Sequence, residues 1–137
     1  MKNEKRKTKS VYELLGDGPL RNKTADFSLR IINLYKHLLE VYKEYVISKQ
    51  ILRSGTSIGA NVAESVYAQS KKDFISKLSI ALKETAETEY WLYLLYKSKY
   101  ISEKEYNSVI EDAEEIRKIL ISSINTSKKS LSQDDEI

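Results

Sequence analysis

Arg53–Glu64, reading RSGTSIGANVAE, places two glycines inside what the flanking pattern reads as a helix. A glycine in a helix interior costs about 1 kcal/mol relative to alanine. Two of them in adjacent turns, with Ser54, Ser57, Ala60 and Ala63 around them, make a thin helix. Such a helix is tolerable where a neighbour packs close against it. Arg53, Ser57, Asn61 and Glu64 follow one side of the same stretch at spacings of four, four and three.

Outward from this stretch the helix extends from Val46 to Gln69, with Ile47, Ile51, Ile58, Val62 and Val66 as its apolar positions. Gly55, Gly59 and Ala63 repeat every four residues beside them, the spacing that lets two helix backbones approach closely. The flanking charge and the short apolar runs make this a contact in water, not in lipid. A further helix is predicted from Ser70, where Ser-Lys-Lys-Asp resembles a capping box. Phe74, Leu78, Ala81, Thr85, Thr88, Leu92 and Leu95 keep a four-three spacing along it. Ala81, Thr85, Ala86 and Thr88 form a small-residue zone, expected to face the glycines of the preceding helix. Glu84, Glu87 and Trp91 fall on one side of it. Tyr90, Trp91, Tyr93, Tyr96 and Tyr100 gather toward its end and read for the most part as core and rim packing, with a base-stacking platform as the alternative.

The preceding helix is predicted to start at Thr24, a good N-cap residue. Phe27, Ile31, Leu34, Leu38 and Val41 form its seam, and Ile32, Tyr35, Leu39 and Tyr42 form a second, adjoining stripe. Two stripes imply two neighbours. The last helix starts at Ser102 with Glu105 at the capping-box position, and Val109, Ala113, Ile116, Leu120 and Ile124 make its seam. Short connections near Lys43–Tyr45, Ala68–Ser70 and Ile101–Ser102 leave no room for crossovers. The fold expected is all-α: an up-down-up-down antiparallel four-helix bundle over residues 24–126.

On this reading residues 1–23 are a flexible basic arm, broken by Gly16-Asp17-Gly18-Pro19 after the apolar Val11, Tyr12, Leu14 and Leu15, which are long enough for one helical turn. The arm holds seven basic side chains against three acidic ones. The whole chain carries a net charge of +3, so the bundle body is neutral and the surplus sits in the arm. Lys2, Lys5, Arg6, Lys7 and Lys9 are its candidate nucleic-acid contacts. Residues 127–137, rich in Ser, Lys and Asp, read as a disordered polar tail. No apolar run reaches the roughly 18 residues that would suggest a membrane span. The N-terminus lacks the apolar core of a secretory signal, and a cytoplasmic location is expected.

The chemistry available is limited. The chain has no cysteine and one histidine, His37, so neither a thiolate site nor a Glu-x-x-His di-metal bundle site can be assembled. No Gly-Lys-Ser/Thr follows the glycines to make a phosphate loop, and Ser54 and Ser57 have no evident base. An enzyme is not expected, nor any cofactor or metal. What remains is the polar set Arg53, Ser57, Asn61, Glu64, Glu84, Glu87 and Trp91. Its plainest role is to fix how helices or subunits fit; a ligand or RNA contact is the alternative.

Gln50–Ser65 (QILRSGTSIGANVAES) followed by Ser70–Leu92 (SKKDFISKLSIALKETAETEYWL) resembles the four helix bundle proteins encoded in intervening sequences of bacterial 23S rRNA genes. The most specific positions are Arg53-Ser54, Asn61-Val62-Ala63-Glu64, Asp73-Phe74, Ala81, Glu84, Glu87-Thr88 and Trp91-Leu92. The family pattern has a small residue or alanine where this chain has Gly55, and the arm is not matched. The resemblance implies a homo-oligomeric ring, a pentamer. It also implies a fold similar to the accessory variability proteins of diversity-generating retroelements, basic pentameric barrels that work with a reverse transcriptase and nucleic acid. The function expected is a non-enzymatic scaffold that assembles with itself and binds RNA or a reverse-transcriptase-like protein. The alternative is a protein-protein interaction module with no nucleic-acid role.

Overall fold

A computed structural model of the chain describes residues 19–135. Four helices follow one another: α1 (Pro19–Glu40), α2 (Ile47–Ser65), α3 (Lys71–Lys97) and α4 (Glu103–Asp135). Successive helices run antiparallel and pack side by side, with α4 returning beside α1 to close the bundle. That closing seam is the most sparsely packed of the four. The predicted seams meet in the middle. Phe27, Ile31 and Leu38 from α1 join Ile51, Ile58 and Val62 from α2. Leu78, Ala81, Leu92 and Leu95 come from α3, and Val109, Ala113, Ile116, Leu120 and Ile124 from α4. Val41, expected to extend the α1 seam, lies past the helix end and is exposed.

Both outer boundaries differ from expectation. α1 begins at Pro19, not Thr24. The Gly-Asp-Gly-Pro break ends before the proline, because proline suits the first turn, where its missing N–H has no helical acceptor. Thr24 therefore lies inside the helix, buried, and its hydroxyl donates to the Leu20 carbonyl at 2.8 Å. At the other end, α4 continues to Asp135 through the segment expected to be a disordered tail. Ser127, Ser130 and Leu131 are half-buried, extending the 120–124 register of the seam, and Lys71 of α3 donates to the Ser130 hydroxyl. Lys2, Lys5, Arg6, Lys7 and Lys9 lie outside the described residues.

The helix ends are fixed by specific bonds. Ser70 caps α3 by accepting from the Asp73 amide at 3.0 Å, and Ser102 accepts from the Glu105 amide at 3.1 Å. α3 ends with Lys99 at φ 71°, where the Tyr100 amide donates to the Leu95 carbonyl and the Lys99 amide to the Tyr96 carbonyl. This is the pair of bonds that closes a helix through a left-handed residue. α2 ends at Ser65, four residues before the expected Gln69, which leaves the chain room to turn before the Ser70 cap.

The start of α2 uses an anion. No side chain at Val46 caps it. Instead the Glu44 carboxylate accepts from the amides of Val46, Ile47 and Ser48 at 3.1, 3.1 and 2.7 Å. A carboxylate at a helix N-terminus satisfies orphan donors and opposes the helix dipole. Partial burial pushes the Glu44 carboxyl upward, but the amide bonds, that of Ser48 foremost, outweigh it and hold the group below its ordinary value. A depressed carboxyl contributes stability above its unfolded pKa and loses it as pH falls through the folded one. Glu44→Gln is therefore expected to destabilise the protein by about 1 kcal/mol at pH 7, the typical loss of a helix cap. In urea melts across pH, the gap between the two proteins should close below the ordinary glutamate range of about pH 4. A gap independent of pH would show that the charge plays no part.

Candidate functional site

The glycine stretch lies against α1. A Cβ built on Gly55 would stand 2.8 Å from Ile31 Cγ2 and 2.9 Å from Ile31 Cγ1, and one on Gly59 would stand 3.3 Å from Ser28 Oγ. The close approach predicted from the four-residue repeat is thus made, but with α1 and not with the small-residue zone of α3. α3 meets α2 through other residues. Ser54 and Thr88 are both fully buried, and the Thr88 hydroxyl donates to Ser54 Oγ at 2.8 Å. Thr85 satisfies its hydroxyl within its own helix, on the Ala81 carbonyl. Three helices cannot crowd one thin stretch on the same side: the glycines face α1, and Ser54, one residue earlier, faces α3.

The polar set separates into two groups. Arg53 reaches from α2 to α3, donating through Nη1 to Glu84 Oε1 at 3.2 Å and through Nη2 to Glu87 Oε2. Trp91 Nε1 donates to that same Glu87 oxygen at 2.9 Å. Arg53, Glu84, Glu87 and Trp91 therefore form one cluster across the α2–α3 interface. The Glu87 carboxyl is held below the usual carboxylate range, first by the Arg53 hydrogen bond and then by that of Trp91. The other three residues do not join it. Ser57 donates to the Arg53 carbonyl at 2.6 Å and Asn61 to the Ser57 carbonyl at 2.9 Å, both within α2. Glu64 instead accepts from Lys77 at 3.1 Å, one helix away.

Exposure decides what the cluster can contribute. The Arg53 side chain is 49% exposed, Glu84 20% and Glu87 35%. Pairs at this depth contribute about 0–1 kcal/mol each, so the cluster is a surface clamp and the enclosed Ser54–Thr88 pair is the more demanding polar contact. That pair was visible in the sequence only as two small residues in separate helices. Its juxtaposition follows from register, which the periodicity of either helix alone does not give.

Two further groupings follow from topology. The α1–α4 seam is bridged by ions: Lys23 to Glu115 at 2.9 Å, Arg30 to Asp112 at 2.9 Å, and Arg30 to the Ser108 hydroxyl at 2.8 Å. At its lower end His37 is exposed and packs edge-on against Tyr42, with 5.6 Å between centroids. Among the described residues no group of three or more His, Asp or Glu is placed to hold a metal ion, and no helix is long and apolar enough to cross a membrane. The second grouping is basic. The up-down order brings the start of α1, the end of α2, the start of α3 and the end of α4 to one pole. Arg21, Lys71, Lys72, Lys128 and Lys129 gather there. The Lys71–Ser130 contact ties two of these elements together directly. Residues 1–18, which lie outside the described residues, precede α1 at this end.

Comparison with known proteins places these features in a wider set. Residues 19–122 match the family described as 23S rRNA-intervening sequence protein. A crystal structure of a protein with unknown function, of the S23 ribosomal protein family from Bacteroides thetaiotaomicron VPI-5482, superposes with a TM-score of 0.76. It is 57% identical over 77% of this chain and 97% of its own length. No curated protein matches the chain. The matched span takes in the glycine stretch, the Arg53 cluster and three complete helices; residues 1–18 and the last turns of α4 lie outside it.

Proposed function

The chain belongs to the 23S rRNA-intervening sequence protein family, and from that footing we propose that it is a non-enzymatic helical-bundle scaffold that assembles with itself, as a pentamer, and binds RNA or a nucleic-acid-processing protein. The observation that supports RNA over other partners is the basic pole. The bundle body is close to neutral in total, yet the fold brings Arg21, Lys71, Lys72, Lys128 and Lys129 to the one end at which residues 1–18 precede α1. Clustered lysine and arginine of this kind are the footprint of phosphate binding. Each phosphate contact releases counterions, so affinity falls with salt.

Removing Lys72, Lys128 or Lys129 by substitution with alanine is expected to weaken single-stranded RNA binding uniformly across sequences. Each loss should reduce the slope of log affinity against log salt by about 0.7. Deleting residues 1–18 is expected to reduce it further. Light scattering should give five chain masses of 15.8 kDa. Absence of RNA binding at low ionic strength would refute the RNA half of the reading, and a monomeric mass would refute the assembly half. A second reading, a protein-binding module with no nucleic-acid role, is favoured by the exposed Tyr45, Val46, Tyr67 and Tyr90, of which Val46 is 71% exposed. It predicts partner capture that survives nuclease treatment.

A further inference from the structure

Where the second half of α1 meets the start of α4, the bundle stays open. This seam is the most sparsely packed of the four, and two openings on it run together, sharing His37, Ile101 and Glu105. The inner recess, about 280 Å³, is floored by Ile31, Leu34, Ile101 and Val109. The outer basin, about 440 Å³, is walled by rings. Tyr42 stands edge-on to Tyr100 with centroids 5.4 Å apart, and His37 stands edge-on to Tyr42. Edge-on contact covers one ring face at most, so faces remain for a guest. Two uncommon turns hold the tyrosines there: Lys43 at φ 55° follows Tyr42, and Lys99 at φ 71° precedes Tyr100. We propose that this cleft binds a small organic ammonium ion, with its charged head among the rings and its apolar arm in the recess.

Charge selects the class of ligand. Glu103 and Glu105 line the basin, and neither carboxylate has a hydrogen bond or ion pair among the described residues. Arg30, at the recess, is held by Asp112 at 2.9 Å and by Ser108 at 2.8 Å. Lys99 is the remaining cation of the lining, so two open carboxylates face one lysine and the cleft keeps a negative balance. A cation over a tyrosine face is attracted by the ring quadrupole, the more so as water is displaced. An anionic ligand meets the opposite field, which directs phosphates to the basic pole at the other end of the bundle. Core packing does not account for the rings, since Tyr42 is 45% exposed. The apolar floor behind them suits an aliphatic arm, as in pockets that combine an apolar lining with a few polar groups.

Amide NMR titrations of the full chain test this with three probes: choline, its neutral isostere 3,3-dimethylbutan-1-ol, and butyltrimethylammonium. Choline is expected to shift the amides of His37, Ile101 and Glu105 and to bind about tenfold more tightly than the alcohol. Butyltrimethylammonium should bind more tightly than tetramethylammonium, by a factor of about four for each methylene that enters the recess. Glu105→Gln and Tyr42→Leu, both at exposed side chains, should each weaken choline about tenfold and leave the helical signal unchanged. Glu111→Gln removes an exposed carboxylate of the same helix outside the cleft and should have no effect. Equal binding of choline and the alcohol would overturn the proposal, as would shifts centred away from the cleft or no binding at tens of millimolar. A loss in Glu111→Gln as large as that in Glu105→Gln would overturn it too, by showing attraction to net charge alone.

Discussion

Gly55→Ala is expected to lower the melting temperature, against the gain of about 1 kcal/mol that alanine ordinarily brings inside a helix. The added methyl would sit 2.8 and 2.9 Å from two carbons of Ile31. Ile31 is fully buried at the centre of the core and has nowhere to move. Overpacking of this kind costs about 1–3 kcal/mol, which exceeds the helical gain, and each net kcal/mol lowers the midpoint of a chain this size by about 3 °C. Gly55→Leu should remove cooperative folding of the α1–α2 pair. Gly59→Ala is the contrast. Its closest contact would be 3.3 Å from Ser28 Oγ, a small half-buried side chain that can rotate, so that substitution should be neutral or stabilising by up to about 1 kcal/mol. Ile31→Ala should soften the effect of Gly55→Ala, giving a double-substitution loss smaller than the sum. A Gly55→Ala protein that melts higher than the parent would mean that α1 does not approach α2 as closely as described.

Thr88→Val should destabilise by about 1–3 kcal/mol, the loss that follows when a buried polar atom is left without its partner. The change conserves side-chain volume almost completely, so no cavity contributes. What is lost is the donor to Ser54 Oγ, in a contact fully closed to water. Ser54→Ala alone should be mild, because Thr88 retains the Glu84 carbonyl at 2.7 Å. The pair Ser54→Ala with Thr88→Val removes both polar groups and should recover part of the Thr88→Val loss. Urea melts of the four proteins measure this coupling; strict additivity would show that the two hydroxyls do not depend on each other. Arg53→Ala, by comparison, should be small, because its ion pairs lie half in water.

The seams of the four helices were readable from the sequence, Val41 excepted, because four-three spacing is a property of one strand of sequence at a time. Leu78, Ala81, Thr85, Thr88, Leu92 and Leu95 all proved to be buried. The Ser70 and Ser102 caps were legible as well, because a capping box is also a local pattern. Relations between helices were less legible. The glycine repeat announced a close approach, but the expectation set it against α3 where the neighbour is α1, since a thin helix is thin toward all sides until the register of its partners is set. Glu44 looked like part of a loop, because its capping role depends on a backbone turn through Lys43 at φ 55°, an uncommon conformation for a non-glycine residue. The α4 extension was hidden by its polar outer face. A helix held by one contact stripe needs few apolar residues, and Leu131 together with two small serines supplied enough.

The seam between α1 and α4 differs in kind from the other three, and this shapes how the molecule comes apart. The hairpin interfaces join neighbours in sequence, and each is more densely packed than the closing seam, ion pairs across them notwithstanding. The closing seam joins residues 82 and 92 positions apart through part-exposed ion pairs. Local contacts form early in folding and distant ones late, since loop closure must precede them. The bundle is thus a three-hairpin ladder whose last rung is sparsely packed and bridged by ion pairs. Ionic strength screens its ion pairs, and because this seam is the most sparsely packed of the four, it is the edge expected to respond most to the surrounding salt.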